Sequence, residues 1–168
     1  MHLNVEIKAR IRDRAHIEAY LQQHQADFRG VDHQTDTYFR VPEGRLKLRE
    51  GNIENSLIFY KRPDQAGPKT SEVFLHHPQN SDSLKSVLMA SIGCWQIVKK
   101  ARAIYFIGNV KFHLDQVDGL GEFVEIEAID VDGSFGERKL RTQCEHFLAA
   151  FGIQPEDLLE QSYSDLLA

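Results

Sequence analysis

One phase of several alternating stretches in this 168-residue chain carries nine basic side chains and four carboxylates, and these are the residues that could do chemistry. The bases are Lys8, Arg10, Arg45, Lys47, Arg49, Lys61, Lys100, Arg102 and Lys111; the acids are Glu6, Asp115, Glu125 and Glu127. Cations drawn from separate segments suit a compact polyanion. A triphosphate carries about four negative charges near neutral pH, and several cations with bidentate arginine contacts offset and orient it where one arginine cannot. Glu6, Glu125 and Glu127 are hard oxygen donors of the kind that Mg2+ accepts. Beside phosphate they repel it unless a divalent ion lies between, and that ion offsets the charge developed in phosphoryl or nucleotidyl transfer. Asp115 is read as a further ligand or as the group that orients an attacking oxygen. Lys8 contacts phosphate or helps to activate a nucleophile by hydrogen bonding, with a plain ion pair as the competing role.

The elements that must position these residues read as strands. Residues 109 to 128 hold two arms about a turn at Asp118-Gly119-Leu120-Gly121. In the first arm Val110, Phe112 and Leu114 alternate with Lys111, His113 and Asp115. In the second, Val124, Ile126 and Ala128 alternate with Phe123, Glu125 and Glu127. Leu3, Val5, Ile7 and Ala9 alternate in the same way with Asn4, Glu6, Lys8 and Arg10. This is the two-residue period of half-buried strands. Five more strands are expected, at 29–41, 45–49, 56–62, 69–77 and 95–107. One helix should run from Asp13 as N-cap to about Gln25. A second should follow Asn80-Ser81-Asp82, with Leu84, Val87, Leu88 and Ile92 on its apolar face, and end at Gly93. A third should open on a capping box at Ser134-Phe135-Gly136-Glu137 and stop at Gly152, and a short last helix should follow Pro155 with Leu158 and Leu159. Connections this short forbid crossovers, so the strands are mostly antiparallel. The expected fold class is α+β, an eight-stranded antiparallel barrel with helices packed outside, forming one domain over residues 1–168.

The charged phase can face solvent, line a nucleic-acid groove or face inward. A net charge of −5 and few interleaved aromatics weigh against nucleic acid. Chemistry favours the inward arrangement, a tunnel lined by lysine and arginine with carboxylates among them. Hydrophobic residues at 42% and charged residues at 27% are those of a globular chain. No apolar run follows a basic start and no stretch reaches membrane-spanning length, so a cytoplasmic location with no membrane partner is expected. Cys94 and Cys144 read as small buried hydrophobes. His33, His76, His77 and His113 show no ligand spacing and read as loop or surface residues, and Tyr38 and Tyr105 as packing residues.

Asn4-Val5-Glu6-Ile7-Lys8 resembles the Glu-x-Glu-x-Lys opening of the CYTH superfamily, the triphosphate tunnel metalloenzymes, which includes class IV adenylate cyclases and thiamine triphosphatases. Further pieces follow in the family's order: Gln34-Thr35-Asp36-Thr37-Tyr38-Phe39, Leu46-Lys47-Leu48-Arg49, Tyr60-Lys61-Arg62-Pro63-Asp64, Lys100-Ala101-Arg102 and His113-Leu114-Asp115. The last two are Gly119-Leu120-Gly121-Glu122-Phe123-Val124-Glu125-Ile126-Glu127 and a terminal Ser162-Tyr163-Ser164-Asp165-Leu166-Leu167. The resemblance spans nearly the whole chain. It implies an antiparallel tunnel and Mg2+- or Mn2+-dependent action on a triphosphate such as ATP, thiamine triphosphate or tripolyphosphate, with a homodimer left open. Arg45, Lys47, Arg49, Lys61, Lys100, Arg102 and Lys111 would then bind substrate, Glu6, Glu125 and Glu127 the metal, and Lys8 and Asp115 would be catalytic. The leading expectation is a class IV adenylate cyclase-like enzyme; a triphosphatase and a non-catalytic polyphosphate-binding module are the alternatives. One position departs from the pattern: the first Glu of the opening motif is Asn4, which keeps an oxygen acceptor and loses a charge.

Overall fold

A computed structural model describes residues 1–168. Eight strands close into one antiparallel barrel in the spatial order β1-β5-β4-β3-β2-β6-β7-β8. In chain order they are β1 (His2–Arg10), β2 (Asp27–Phe39), β3 (Arg45–Glu50), β4 (Asn55–Lys61), β5 (Lys69–His76), β6 (Cys94–Ile107), β7 (Val110–Val117) and β8 (Gly121–Asp130). Three helices interrupt or follow them: α1 (Arg14–Gln23), α2 (Ser81–Ser91) and α3 (Glu137–Ala150). The α+β barrel expected from the alternation is the fold observed.

Alternation decides which side of the sheet goes where. Val5, Ile7 and Ala9 of β1, Val110, Phe112 and Leu114 of β7, and Val124, Ile126 and Ala128 of β8 face outward into one buried cluster. Ile17 and Leu21 of α1 and Leu140, Cys144 and Phe147 of α3 cover them. Phe112 meets Phe147 edge-on at 4.8 Å between ring centroids. Each such large side chain taken out of water contributes about 1.5–3 kcal/mol. The hydrophobic core of this protein therefore lies outside the barrel, between sheet and helices. The interior is left to the charged phase and, on β4 and β5, to Ile58, Tyr60 and Val73.

Coverage is uneven. The apolar face of α2 is not buried: none of its residues falls in that class, and Val87 is 63% exposed. Phe74 on the outer face of β5 is likewise half-exposed. The expected capping box of α3 does not form. Gly136 is the N-cap, and the Asp130 carboxylate instead accepts the backbone N–H groups of Gly133, Phe135 and Gly136 at 2.8, 3.2 and 2.9 Å. Asp130 thereby ties down the loop that leads into α3, and the helix starts at Glu137, three residues after Ser134.

The short helix expected after Pro155 is a single 3-10 turn, Pro155–Asp157. Leu158 then bridges Ala9, and Leu159 donates its N–H to Lys8 O at 2.9 Å, so the chain runs extended along the end of β1. A helix missed from the sequence, α4 (Tyr163–Leu167), follows and closes one end of the barrel with buried Tyr163 and Ser164. Lys69, fully buried at the start of β5, secures this segment. Its ammonium donates to the carbonyls of Gln65, Leu159 and Glu160 at 3.2, 3.1 and 2.9 Å.

Lys69→Met should strand those carbonyls and cost about 1–3 kcal/mol. Denaturant unfolding reads the loss, and amide exchange should rise first in residues 159–167. Exchange there as slow as in the parent chain would show that Lys69 does not hold the closure.

Candidate active site

The barrel encloses a cavity of about 430 Å³, a size ordinary for a small-molecule site. Its exposed lining residues, among them Ile53, Asn55, Leu75 and His77, gather at one end. The opposite end is shut by Ser162 and Tyr163, each 3% exposed. Seven cationic side chains line the cavity: Lys8, Lys47, Arg49, Arg62, Lys100, Arg102 and Lys111. Four carboxylates do so: Glu6, Glu54, Glu125 and Glu127.

Two fully buried aspartates hold most of these cations in place. Asp36 on β2 faces Arg49 on β3 in register and accepts its Nε and an Nη at 2.9 and 2.8 Å. Lys100 Nζ reaches the same carboxylate at 2.8 Å and Lys47 Nζ at 3.4 Å. Burial pushes the Asp36 carboxyl up, but Arg49, Lys100 and Lys47 outweigh it and hold it well below the usual carboxylate range. Asp115 does the same for Arg102 through two bonds of 2.7 Å, and takes the Tyr163 hydroxyl at 2.8 Å. Asp115 was expected to ligate a metal or orient an attacking oxygen. Its oxygens hold Arg102 and Tyr163, and it lies outside the cavity lining.

Burial without full compensation lowers two of the tunnel lysines. It lowers Lys100 to about 7, against the pull of Asp36 and with Arg49, Arg102 and Lys47 adding to it. It lowers Lys8 to about 8, with Glu125 pulling back from 3.1 Å. The Lys8 ammonium also sits 3.9 Å over the Tyr163 ring. At the open end Glu54 accepts from Lys111, from Arg49 at 3.4 Å and from Gln34 at 3.0 Å.

Two expected substrate residues stand elsewhere. Lys61 was placed with the inward phase, but register with β3 sets Arg45 opposite Tyr60 and turns Tyr60 inward, so Lys61 points out. Its side chain is nearly half exposed, and its ammonium pairs with Glu43 at 3.2 Å. Arg62, one residue on, enters the tunnel instead and bonds Glu6 Oε1. Arg45 donates to both oxygens of Asp165 at 3.0 Å in a recess of about 320 Å³ beside the closed end, shared with Lys61 and Arg62. Lys8, Lys47, Arg49, Lys100, Arg102 and Lys111 are brought together; Arg45 and Lys61 are not. Arg62, Glu54 and Asp36 are the interior groups that sequence reasoning passed over, and His113, read as a surface residue, is 2% exposed within the tunnel.

The donor set fits a hard divalent ion. Glu6 and Glu127 stand directly opposite each other across β1 and β8; like charges so placed repel, and Arg62 meets only Glu6, through Oε1. Burial first, then Glu6 and Glu125, push the Glu127 carboxyl up to about 7, against the pull of Lys111. Asn4 donates its Nδ2 to Glu127 at 2.6 Å, while its buried Oδ1 has no partner. Glu125, expected as a third ligand, is occupied: Lys8 takes Oε1 at 3.1 Å, and His113 and Arg102 take Oε2 at 2.8 and 3.3 Å. His113, Asp115 and Glu125 also bring ligand atoms within 4.8 Å of one another. Arg102 already neutralises that trio, which argues against a cation there.

The fold and site together are a closed antiparallel barrel whose interior gathers seven cations and four carboxylates. The chain belongs to the CYTH domain family, whose profile matches residues 2–163. CYTH domains bind triphosphates and depend on a metal. The chain is similar to a Methanocaldococcus jannaschii protein provisionally named an adenylate cyclase, 26% identical over 98% of each chain. In fold it resembles a Pyrococcus horikoshii protein with a TM-score of 0.81, 22% identity and 99% of each chain covered. It also resembles a Hippeastrum protein, provisionally named an adenylyl cyclase and described as having a dominant triphosphatase activity. That likeness has a TM-score of 0.61, 16% identity, and covers 99% of this chain and 94% of the other.

Asp36→Asn should strand Arg49, Lys100 and Lys47 beside one another and destabilise the free protein by about 3–5 kcal/mol. Tripolyphosphate should restore more of the lost melting temperature than orthophosphate at matched ionic strength. Equal recovery by the two anions would mean general screening in place of a built polyanion site.

Proposed function

We propose that the chain is a divalent-metal-dependent enzyme acting on a triphosphate inside the tunnel. The leading reading is class IV adenylate cyclase-like, converting ATP to cyclic AMP and pyrophosphate. One observation carries the reading: cations from β1, β3, β6 and β7 and from just past β4 converge on one enclosed space that also holds the opposed Glu6 and Glu127. A ligand with several adjacent negative charges suits the surplus of seven cations over four carboxylates in the lining, and an accompanying metal suits the opposed acids.

The two walls differ, and the difference orients the substrate. Arg49, Lys100 and Arg102 on one side offer donors already aligned by Asp36 and Asp115, so little reorganisation is needed when phosphate arrives. Ile58, Val73 and Leu75 on β4 and β5 carry no charge and reach toward the open end. Phosphates would lie along the first wall, with an organic group against the second. Glu6 and Glu127 would hold the metal, with Asn4 Oδ1 beside them. When bound, the metal offsets charge on the phosphate oxygens. In cyclisation the ribose 3′-oxygen bonds to the α-phosphorus as the bond to pyrophosphate breaks, and the hydroxyl proton must leave. Lys8, lowered to about 8 by burial, would accept that proton or donate to a phosphate oxygen.

Hydrolysis at the terminal phosphorus is the second reading, favoured by the triphosphatase activity named for the Hippeastrum neighbour. Product analysis over ATP, thiamine triphosphate and tripolyphosphate with Mg2+ and Mn2+ separates the two. Cyclic AMP with pyrophosphate marks the cyclase, and orthophosphate the triphosphatase. Binding without any product would overturn both in favour of a polyphosphate-binding module.

Glu127→Gln and Glu6→Gln should each lower metal-dependent turnover about 100-fold or more with the fold retained. Arg49→Ala should raise the KM for the triphosphate about tenfold while the metal titration stays in place. Full activity of the Gln variants at limiting Mg2+ would make those carboxylates mere ion-pair partners.

A further inference from the structure

We propose that the cation between Glu6 and Glu127 is also ligated by His113 Nε2, making a mixed nitrogen–oxygen site that takes a transition ion such as Mn2+ in preference to Mg2+. The inference rests on the metal-dependent reading above and adds a ligand and a selectivity to it. His113 comes from β7, inside the tunnel, where its side chain is 2% exposed. Its Nδ1 lies 2.8 Å from Glu125 Oε2. A carboxylate there fixes the proton on Nδ1 and leaves Nε2 as a bare lone pair. That lone pair is buried and has no partner in the protein.

What Nε2 faces gives the lone pair its meaning. Glu127 Oε2 lies 4.0 Å away, too far for a hydrogen bond. Two donors each about 2.1 Å from one ion fall roughly 3 to 4.2 Å apart, so the gap suits a shared cation. Asn4 Oδ1, the other unpartnered atom beside this carboxylate, belongs to the residue that bonds Glu127 Oε1. Two buried acceptors without donors thus accompany one carboxylate, which is what a ligand set without its ion looks like. Glu125 on Nδ1 completes the carboxylate–histidine–metal relay that fixes ring orientation and raises ligand basicity.

Of the neighbouring cations, Arg62 takes Glu6 Oε1, Arg102 is turned onto Asp115 and Glu125, and Lys111, in register with Glu127, carries its ammonium to Glu54, which leaves Glu6 Oε2 and the Glu127 carboxylate to the ion. Asn4 lowers the negative charge of the site relative to a third carboxylate. An imidazole restores donor strength without restoring charge, which favours transition ions over Mg2+, a cation that prefers oxygen and holds its waters.

The test is pulsed electron paramagnetic resonance of Mn2+ bound to the full-length chain, beside calorimetric titration with Mn2+ and with Mg2+. Wild type should show a histidine 14N coupling, replaced by a 15N signature when histidine is labelled. His113→Gln should lose the coupling and weaken Mn2+ binding about 10- to 100-fold while Mg2+ binding moves less than about threefold. The wild-type spectrum needs no variant, so a poorly folding His113→Gln would not spare the idea. Mn2+ bound without nitrogen coupling would overturn His113 as a ligand and leave the carboxylate site standing. Absence of any bound Mn2+ would overturn the metal-dependent reading along with it.

Discussion

Charge enclosed in a closed barrel must be matched from within the barrel, and that constraint governs this protein. Away from water an unpaired charge is costly, and the attraction that repays it demands close geometry. Asp36 and Asp115 meet the demand for Arg49, Lys100 and Arg102. They do so from outside the cavity lining, and only longer contacts of 3.4 and 3.3 Å tie Arg49 to Glu54 and Arg102 to Glu125 within it. Glu6 and Glu127 present the reverse problem, two acids opposite each other of which Arg62 meets only Glu6, while Glu127 has a neutral amide alongside. A buried salt bridge is a poor device for stability, so a barrel filled with them points to a ligand. The apolar packing that holds the fold together is displaced to the outside, beneath α1 and α3.

Much of this was legible from the chain because alternation is strict where it matters. β1, β3, β7 and β8 each carry one clean apolar phase, so the inward direction of Lys8, Lys47, Arg49, Glu125 and Glu127 follows once one face is buried. The barrel follows from the number of strands and the shortness of their connections. Lys61 and Arg62 show where such reasoning stops. Both are basic and adjacent, and only the pairing of Arg45 with Tyr60 decides which of them enters.

Other groups left no local signal. Glu54 sits in the turn between β3 and β4, where no period applies, yet it is the acceptor for Lys111 and Arg49. His113 has its partner twelve residues away on the next strand, a spacing set by the hairpin and by no ligand motif. α4 is five residues long, too short to announce itself by periodicity. Its position depends on Lys69 and on contacts from Tyr163 that reach across the barrel end.

The central claim is that triphosphate and metal meet inside the barrel. A crystal structure with a non-hydrolysable ATP analogue and Mn2+, phased for anomalous signal, tests it most directly. The account predicts phosphates against Arg49, Lys100 and Arg102 and an anomalous peak between Glu6 and Glu127. An anion lodged instead in the outer recess with Arg45 and Lys61, and no metal in the tunnel, would contradict it.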